Sequence, residues 1–132
     1  MDIVSALFAE NIDLRPAPGP STRIDLTGIM FSLAAPAEPP VTVAPHLIVL
    51  VRCRPDEDGQ GILEVTFEDT SGEQVARNVS PFTVEPGKFT YRLVRGELEY
   101  KDYGTIEAHC RILQGATPGA TLTVPLTLLP PA

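Results

Sequence analysis

Residues 105–112 read TIEAHCRI, and this stretch decides the fold class. Its apolar side chains, Ile106, Ala108, Cys110 and Ile112, alternate with polar side chains. Successive side chains of a strand point to opposite faces, so alternation with a period of two separates an apolar face from a polar one. The stretch therefore predicts a strand with one face in a core and one in solvent.

The same alternation recurs along the chain. Residues 121–128 read TLTVPLTL, and residues 63–68 read LEVTFE before the turn sequence DTSG. The second pattern predicts a hairpin that returns through residues 74–78. Proline-glycine pairs at 86–87 and 118–119 predict turns that bracket strands near 88–95 and 104–113. Residues 3–10 also fit one helical face, but a strand is the favoured interpretation.

Proline and glycine interrupt the sequence too often for crossover helices, since 14 prolines and 10 glycines are spread over 132 residues. Strands recur every 8 to 12 residues or so, with turn sequences between them. We therefore predict an all-β fold: an antiparallel β-sandwich of about eight strands, immunoglobulin-like or C2-like in architecture. One domain, residues 1–132, is expected for this length.

The charge balance restricts the partners. The chain has 10 Lys and Arg residues against 17 Asp and Glu residues, a formal net charge of −7. A nucleic-acid backbone or an anionic membrane surface needs a basic patch, so we expect neither as a partner. The N-terminal residues lack a basic segment followed by a long apolar run, so we expect no signal peptide and a cytoplasmic location. We accordingly expect Cys53 and Cys110 to be reduced thiols.

The acidic turn Asp56-Glu57-Asp58 is the strongest candidate cation ligand in the sequence. The spacing fails the EF-hand pattern, because Arg54 occupies the first ligand position. A second acidic pair, Glu68 and Asp69, lies about 20 Å away at the other end of a strand. We therefore expect a solvated turn and no metal site.

A zinc site and a catalytic dyad at His109 and Cys110 are both unfavourable, because neighbours on a strand point to opposite faces. No nucleophile elbow, metalloprotease motif or phosphate-binding glycine loop is present. We predict no catalytic residues and no cofactor.

Aromatic residues suggest a ligand groove. Tyr100 and Tyr103 flank Lys101, and exposed tyrosines beside basic residues could line a site for a sugar or a peptide. The neighbouring row, Phe89, Tyr91 and Leu93, alternates in the manner of ordinary core residues.

Residues 46–53, HLIVLVRC, are apolar on both faces. Odd-numbered positions form one apolar row, and Ile48 with Leu50 makes the opposite row apolar as well. In an antiparallel sandwich one of these rows needs a cover beyond the core. We predict an interface through Ile29, Phe31, Ile48 and Leu50. The alternative is an internal cover by residues 34–45 or by residues 3–8.

The order of these features resembles a bacterial family of small β-sandwich proteins of unknown function. The resemblance is carried by ALFAE at 6–10, LTGI at 26–29, the apolar strand 46–53, LEVTFEDTSGEQV at 63–75, DYGTIEAHCRI at 102–112 and VPLTL at 124–128. It implies a β-sandwich fold and no known chemistry.

The leading functional hypothesis is a non-catalytic protein-interaction or assembly module that binds a protein partner or a second copy of itself, as a homo-oligomer. The alternative is a β-sandwich that binds a small ligand or a carbohydrate. The second alternative is a hydrolase or a Ca²⁺-binding sandwich that uses the acidic loops.

Overall fold

A computed structural model describes residues 1–19, 21–114 and 117–131, and their regular secondary structure consists of strands. In chain order the strands are β1 (Asp2–Ala17), β2 (Ser21–Met30), β3 (Ser32–Ala34), β4 (Val41–Val43), β5 (His46–Arg52), β6 (Gln60–Glu68), β7 (Gln74–Thr83), β8 (Phe89–Arg95), β9 (Leu98–Tyr100), β10 (Gly104–Gln114) and β11 (Thr117–Leu129). In the described part of the chain, no helix is long and apolar enough to cross a membrane.

The strands form two main sheets. Sheet A has the order β2-β1-β5-β8, and sheet B has the order β3-β11-β10-β6-β7. Neighbouring strands are antiparallel except for β3 and β11, which run parallel. The short strands β4 and β9 form a separate antiparallel pair. This arrangement confirms the predicted β-sandwich.

The core lies between the two sheets. Sheet A contributes side chains such as Phe8, Leu47 and Val49, and sheet B contributes Phe67 and Leu126, all of them at most 1% exposed. On β5 and β10, the residues that face the core are those that the alternation predicted. Both strands have a neighbouring strand on each side, and the other sheet packs against one of their faces. Burying aliphatic and aromatic side chains of this size contributes roughly 1.5 to 3 kcal/mol each.

The predicted strand boundaries are close to the observed ones. Eight of the strands described have seven residues or more, and the remaining three have three residues each. Residues 3–10 belong to β1, as favoured. The turn predicted at 86–87 is confirmed by a hydrogen bond from Lys88 N–H to the carbonyl of Glu85 (3.1 Å). The turn predicted at 118–119 is wrong, because residues 117 and 118 already pair with β10.

Sheet A has an outer face that points away from sheet B. On β5 this face carries Ile48 and Leu50, whereas Leu47, Val49 and Val51 point into the core. Tyr91 and Leu93 of β8 lie on the outer face as well, since they pair with Leu50 and Ile48. The same row continues to Phe89, which pairs with Arg52 at the end of β5. We refer to this surface as the outer face of sheet A.

Candidate functional site

The hairpin formed by β1 and β2 extends beyond sheet A. Residues 2–9 of β1 pair with β5, and residues 8–17 pair with β2. Residues 11–17 and 21–27 therefore form a two-stranded ribbon, and no other strand of the described residues is hydrogen-bonded to it. We call this ribbon the arm.

The arm folds back over the outer face of sheet A. Ser5 pairs with Leu50, and Ser21 pairs with Ala17, which lies twelve residues farther along β1. A straight strand would separate the two pairs by about 40 Å at roughly 3.3 Å per residue. Ser21 and Leu50 instead line the same cleft. The ribbon must therefore reverse its direction between the sheet and its tip.

The reversal occurs at Gly28. This residue lies inside β2 with φ +67°, a left-handed conformation that side-chain-bearing residues adopt at a cost. A Cβ atom at this position would lie 2.6 Å from Cδ of Glu10, the residue opposite on β1. The regular pairing of β1 and β2 is also interrupted between Ala9 and Asn11. Glycine thus permits both the bend and the close approach of Glu10.

The space between the arm and sheet A is a cleft of about 730 Å³. One wall is the arm tip, Ser21 to Ile24, and the other is formed by β5, β8 and the turn before β8. Leu50, Phe89 and Tyr91 supply its apolar and aromatic surface, and Phe89 is 63% exposed. The remaining lining residues are Thr22, Arg23, Gly87, Lys88 and Thr90. A volume of 300 to 1,000 Å³ or so is usual for small-molecule sites.

Two basic side chains line this cleft. Lys88 Nζ forms an ion pair with Glu85 Oε2 (2.7 Å), and both side chains are about two-thirds exposed. Arg23 has no ion pair among the described residues, although its cross-strand neighbour Arg15 donates from Nε to Asp25 Oδ2 (2.5 Å). That hydrogen bond raises the pKa of Arg15. Arg23 is therefore the arm cation without a carboxylate partner.

Phe89 and Tyr91 do not belong to the core, contrary to one interpretation of the sequence. The inward row of β8 is Thr90, Arg92 and Val94, which pair with the core residues of β5. Arg92 is tolerated there because β8 is an edge strand, and its Nη2 reaches Ser80 Oγ of β7 (3.2 Å) across the gap between the sheets. The apolar row therefore faces outward, and sequence alternation alone cannot reveal this reversal.

The predicted groove at Tyr100 and Tyr103 is only partly realised. Both residues border a small depression of about 180 Å³. Tyr100 is 3% exposed, its hydroxyl donates to the carbonyl of Leu126 (2.6 Å), and burial raises its pKa. The expectation that Tyr100 is exposed is wrong, because β9 pairs with β4 and directs this ring into the core. Tyr103 is exposed.

The four predicted interface residues do not form one surface. Ile48 is 2% exposed without belonging to the core cluster, because the outer face on which it lies is beneath the arm. Leu50 lines the cleft. Ile29 and Phe31 are exposed near the bend and at the crossover from β2 to β3. Ile48 is therefore wrongly predicted as a contact residue.

The cover of the outer face comes from a segment that the sequence did not suggest. Residues 3–8 lie within sheet A as part of β1, and residues 34–45 lead to β4, which pairs with β9. The arm, residues 11–17 and 21–27, takes the covering position instead. The signal for it was the glycine inside the LTGI segment, which marks the bend.

The acidic turn Asp56-Glu57-Asp58 organises its own loop. Glu57 Oε1 accepts the N–H of Arg54 (3.0 Å), and Asp58 Oδ1 accepts the N–H of Gln60 (2.9 Å). Glu57 also pairs with the N-terminal ammonium group. No group of three or more His, Cys, Asp and Glu side chains is arranged to hold a metal ion in the described residues.

His109 and Cys110 lie on opposite faces of β10. Cys110 is buried in the core, where desolvation raises the pKa of its thiol to about 12, and Cys53 is also a free, buried thiol. His109 lies on the outer face of sheet B, with Nδ1 3.0 Å from Thr123 Oγ1 and Nε2 3.2 Å from Glu68 Oε2. The two side chains therefore form no dyad.

No known protein family and no curated protein matches this sequence. Among solved structures, the chain is similar to two determinations of a glycosyl hydrolase family 2 (GH2) member from Bacteroides cellulosilyticus, one of them from strain DSM 14838, each with a TM-score of 0.60 and 16% identity. The similarity covers 70% of this chain but 14% and 13% of those chains. This chain thus spans about one-seventh of their length. At this identity the likeness is one of fold, that of a β-sandwich.

Proposed function

We propose that this chain is a non-catalytic β-sandwich module that binds carbohydrate in the cleft between the arm and sheet A. The observation that carries the proposal is the exposed aromatic ring of Phe89, next to Tyr91, on one wall of a cleft of about 730 Å³. Aromatic rings pack against the C–H faces of sugar rings, because both surfaces are apolar and flat. The proposal involves no cofactor and no bond-breaking step.

The polar lining suits the same ligand. Ser21 and Thr22 line the cleft on the arm wall, and both carry hydroxyl groups. A sugar ring presents an apolar face and a rim of hydroxyl groups, so it requires an apolar wall together with several hydrogen-bonding groups. The likeness to the GH2 chains adds support, because glycosyl hydrolases act on carbohydrates and a fold similar to this one occupies a small part of such a chain.

The test is isothermal titration calorimetry against a panel of neutral and acidic oligosaccharides. We expect at least one class to bind, and we expect Phe89→Ala to weaken that binding at least tenfold, since burial of the ring contributes roughly 1.5 to 3 kcal/mol. Leu93→Ala is the matched control, because Leu93 lies on the same row of β8, is exposed and does not line the cleft. Absence of binding across the whole panel, or equal losses in both variants, would contradict the proposal.

A second candidate function is contact with a protein partner or with a second copy of the chain. We propose this role for Ile29 and Phe31, because Phe31 is 62% exposed and Ile29, two positions away, is about half exposed. Size-exclusion chromatography with light scattering tests it: Phe31→Ser should convert a dimer into a monomer. Val4→Ser, which changes a similarly exposed apolar residue on another strand, β1, should not. A wild-type protein that is monomeric at high concentration would contradict self-association.

A further inference from the structure

The cleft differs from the rest of the molecule in its charge. The chain carries 17 acidic and 10 basic residues. The residues that line the cleft include Arg23 and Lys88, and none of those described is acidic. A ligand in the cleft therefore meets a local excess of positive charge on a protein whose net charge is −7.

Five basic side chains outside the cleft form ion pairs with carboxylates in the described part of the chain. Arg15, Arg54 and Lys101 each pair with an aspartate or a glutamate. Arg77 and Arg111 share a single carboxylate, that of Glu64. The ion pairs of Arg15, Arg54 and Lys101 offset those three charges, whereas Glu64 offsets only one of the two charges beside it.

Arg23 differs from these residues. It forms no ion pair or hydrogen bond with another described side chain, and it lies opposite Arg15, a like charge, in the register of the arm. Arg52 adds a second cation without an ion pair among the described residues, at the position that pairs with Phe89. Lys88 is paired with Glu85, but both side chains are exposed. An exposed ion pair contributes little free energy, so an anionic ligand can replace Glu85 as the partner of Lys88.

We infer that the cleft selects acidic saccharides, whose anionic group pairs with Arg23 while the sugar ring packs on Phe89. The inference depends on the proposed function and adds the chemical class of the ligand. A guanidinium group presents a planar set of N–H donors that matches a carboxylate or a sulfate through two parallel hydrogen bonds. Arg23 of the arm and Phe89 of β8 both line the cleft, so a ligand in the cleft lies next to both residues.

The experiment compares ligands that differ in charge alone. Titration calorimetry at 50 mM NaCl uses an oligogalacturonate and its fully methyl-esterified form, which has the same rings without the negative charges. We expect the acid to bind at least tenfold more tightly, and we expect this preference to shrink at 500 mM NaCl because salt screens the exposed cations. A glucuronate-containing oligosaccharide and a sulfated oligosaccharide are titrated as further acidic ligands. Their affinities show whether the cleft prefers a carboxylate or a sulfate.

Two variants test whether Arg23 causes the preference for acidic saccharides. Arg23→Gln should reduce the ratio of the affinities for the acid and for its methyl ester at least fivefold, because the variant removes the cation that pairs with the anionic group. Arg95→Gln is the matched control, since Arg95 is an exposed arginine of β8 outside the cleft. Equal binding of acidic and neutral forms, or an unchanged preference in Arg23→Gln, overturns the inference and leaves the proposed function standing. Failure of both acidic and neutral panels overturns the proposed function together with the inference.

Discussion

Glu64 is a buried carboxylate that holds two arginines on the outer face of sheet B. Its side chain is 7% exposed. Oε2 accepts hydrogen bonds from Arg77 Nη2 (2.7 Å) and Nε (3.1 Å), and Oε1 accepts one from Arg111 Nε (2.5 Å). β6 lies between β7 and β10, so this carboxylate ties three strands together at one point.

We predict that Glu64→Gln lowers the free energy of unfolding by about 1 to 2 kcal/mol at pH 7. Glutamine keeps one acceptor oxygen but places an amide N–H₂ toward the other arginine. A hydrogen bond to a charged group contributes roughly 1.5 to 3 kcal/mol, and the half-exposed positions of both arginines reduce that value through solvent screening. At about 4 °C per kcal/mol for a domain of this size, the melting temperature should fall by about 4 to 8 °C.

The destabilisation should depend on pH. Hydrogen bonds from the two arginines lower the pKa of Glu64 in the folded protein, relative to about 4.3 in an unfolded chain. A lowered pKa means that the carboxylate stabilises the fold fully at neutral pH and that this contribution is lost as the pH falls through the folded-state pKa. The advantage of the wild type over Glu64→Gln should therefore begin to shrink as the pH falls below about 4.3, the unfolded-state pKa, and should vanish only below the lower folded-state pKa.

Urea denaturation at pH 7 and at pH 3 measures both effects. Glu107→Gln is the matched control, because Glu107 is an exposed carboxylate of β10 on the same outer face with no ion pair among the described residues. It should change stability by less than about 0.5 kcal/mol. The reasoning would be refuted by a Glu64→Gln protein as stable as the wild type at pH 7, or by an equal difference at both pH values.

Three further predictions concern the bend, a tight loop and the core thiol. Gly28→Val should speed hydrogen exchange of the arm amides about tenfold or more, since a left-handed φ costs a residue with a side chain roughly 1 to 2 kcal/mol; uniform changes over the whole protein would contradict a local bend. Gly59→Ala should lower the free energy of unfolding by about 2 to 4 kcal/mol in urea denaturation, because its Cβ would lie 1.9 Å from the carbonyl oxygen of Val84. Gly72→Ala is the control, since Gly72 has a similar φ and nothing within 4 Å of the added Cβ, and it should cost only about 1 to 2 kcal/mol. Cys110 should resist alkylation in the native protein at pH 8, because burial holds its pKa at about 12 and the thiolate is the reactive form; modification at the rate of a free thiol would refute its burial.

Much of the fold could be predicted because the long strands carry their own signal. The alternation of residues 105–112 predicts which face of β10 is buried, and the structure agrees. β10 lies between two other strands, so its apolar face packs in the core and its polar face points outward. The two-sided apolar character of β5 also predicted correctly that its second face needs a cover. What the alternation could not predict is which segment provides that cover, because a long-range contact leaves no periodic trace in the sequence.

The candidate site was harder to predict for the same reason. Tyr100 was expected to be exposed and is buried by the pairing of β4 with β9, two strands of three residues each that are too short for a pattern. Phe89 and Tyr91 resembled core residues because they alternate with more polar residues along β8. They face outward because β8 is an edge strand, where an arginine, here Arg92, can occupy an inward position. The cleft itself depends on the bend at Gly28, and one glycine within a strand is compatible with several distortions.

In the arm, the residues that contact a ligand are separate from those that stabilise the hydrophobic core. Its tip, Ser21 to Ile24, contributes nothing to the hydrophobic core, so substitutions there leave the apolar area buried between the sheets unchanged. Selectivity for a ligand can therefore change through the tip at little expense in folding stability, whereas the facing wall on β5 and β8 is constrained by the sandwich. Across relatives that share this architecture, residues 21–24 are the expected place for rapid divergence, and Gly28 the place for invariance.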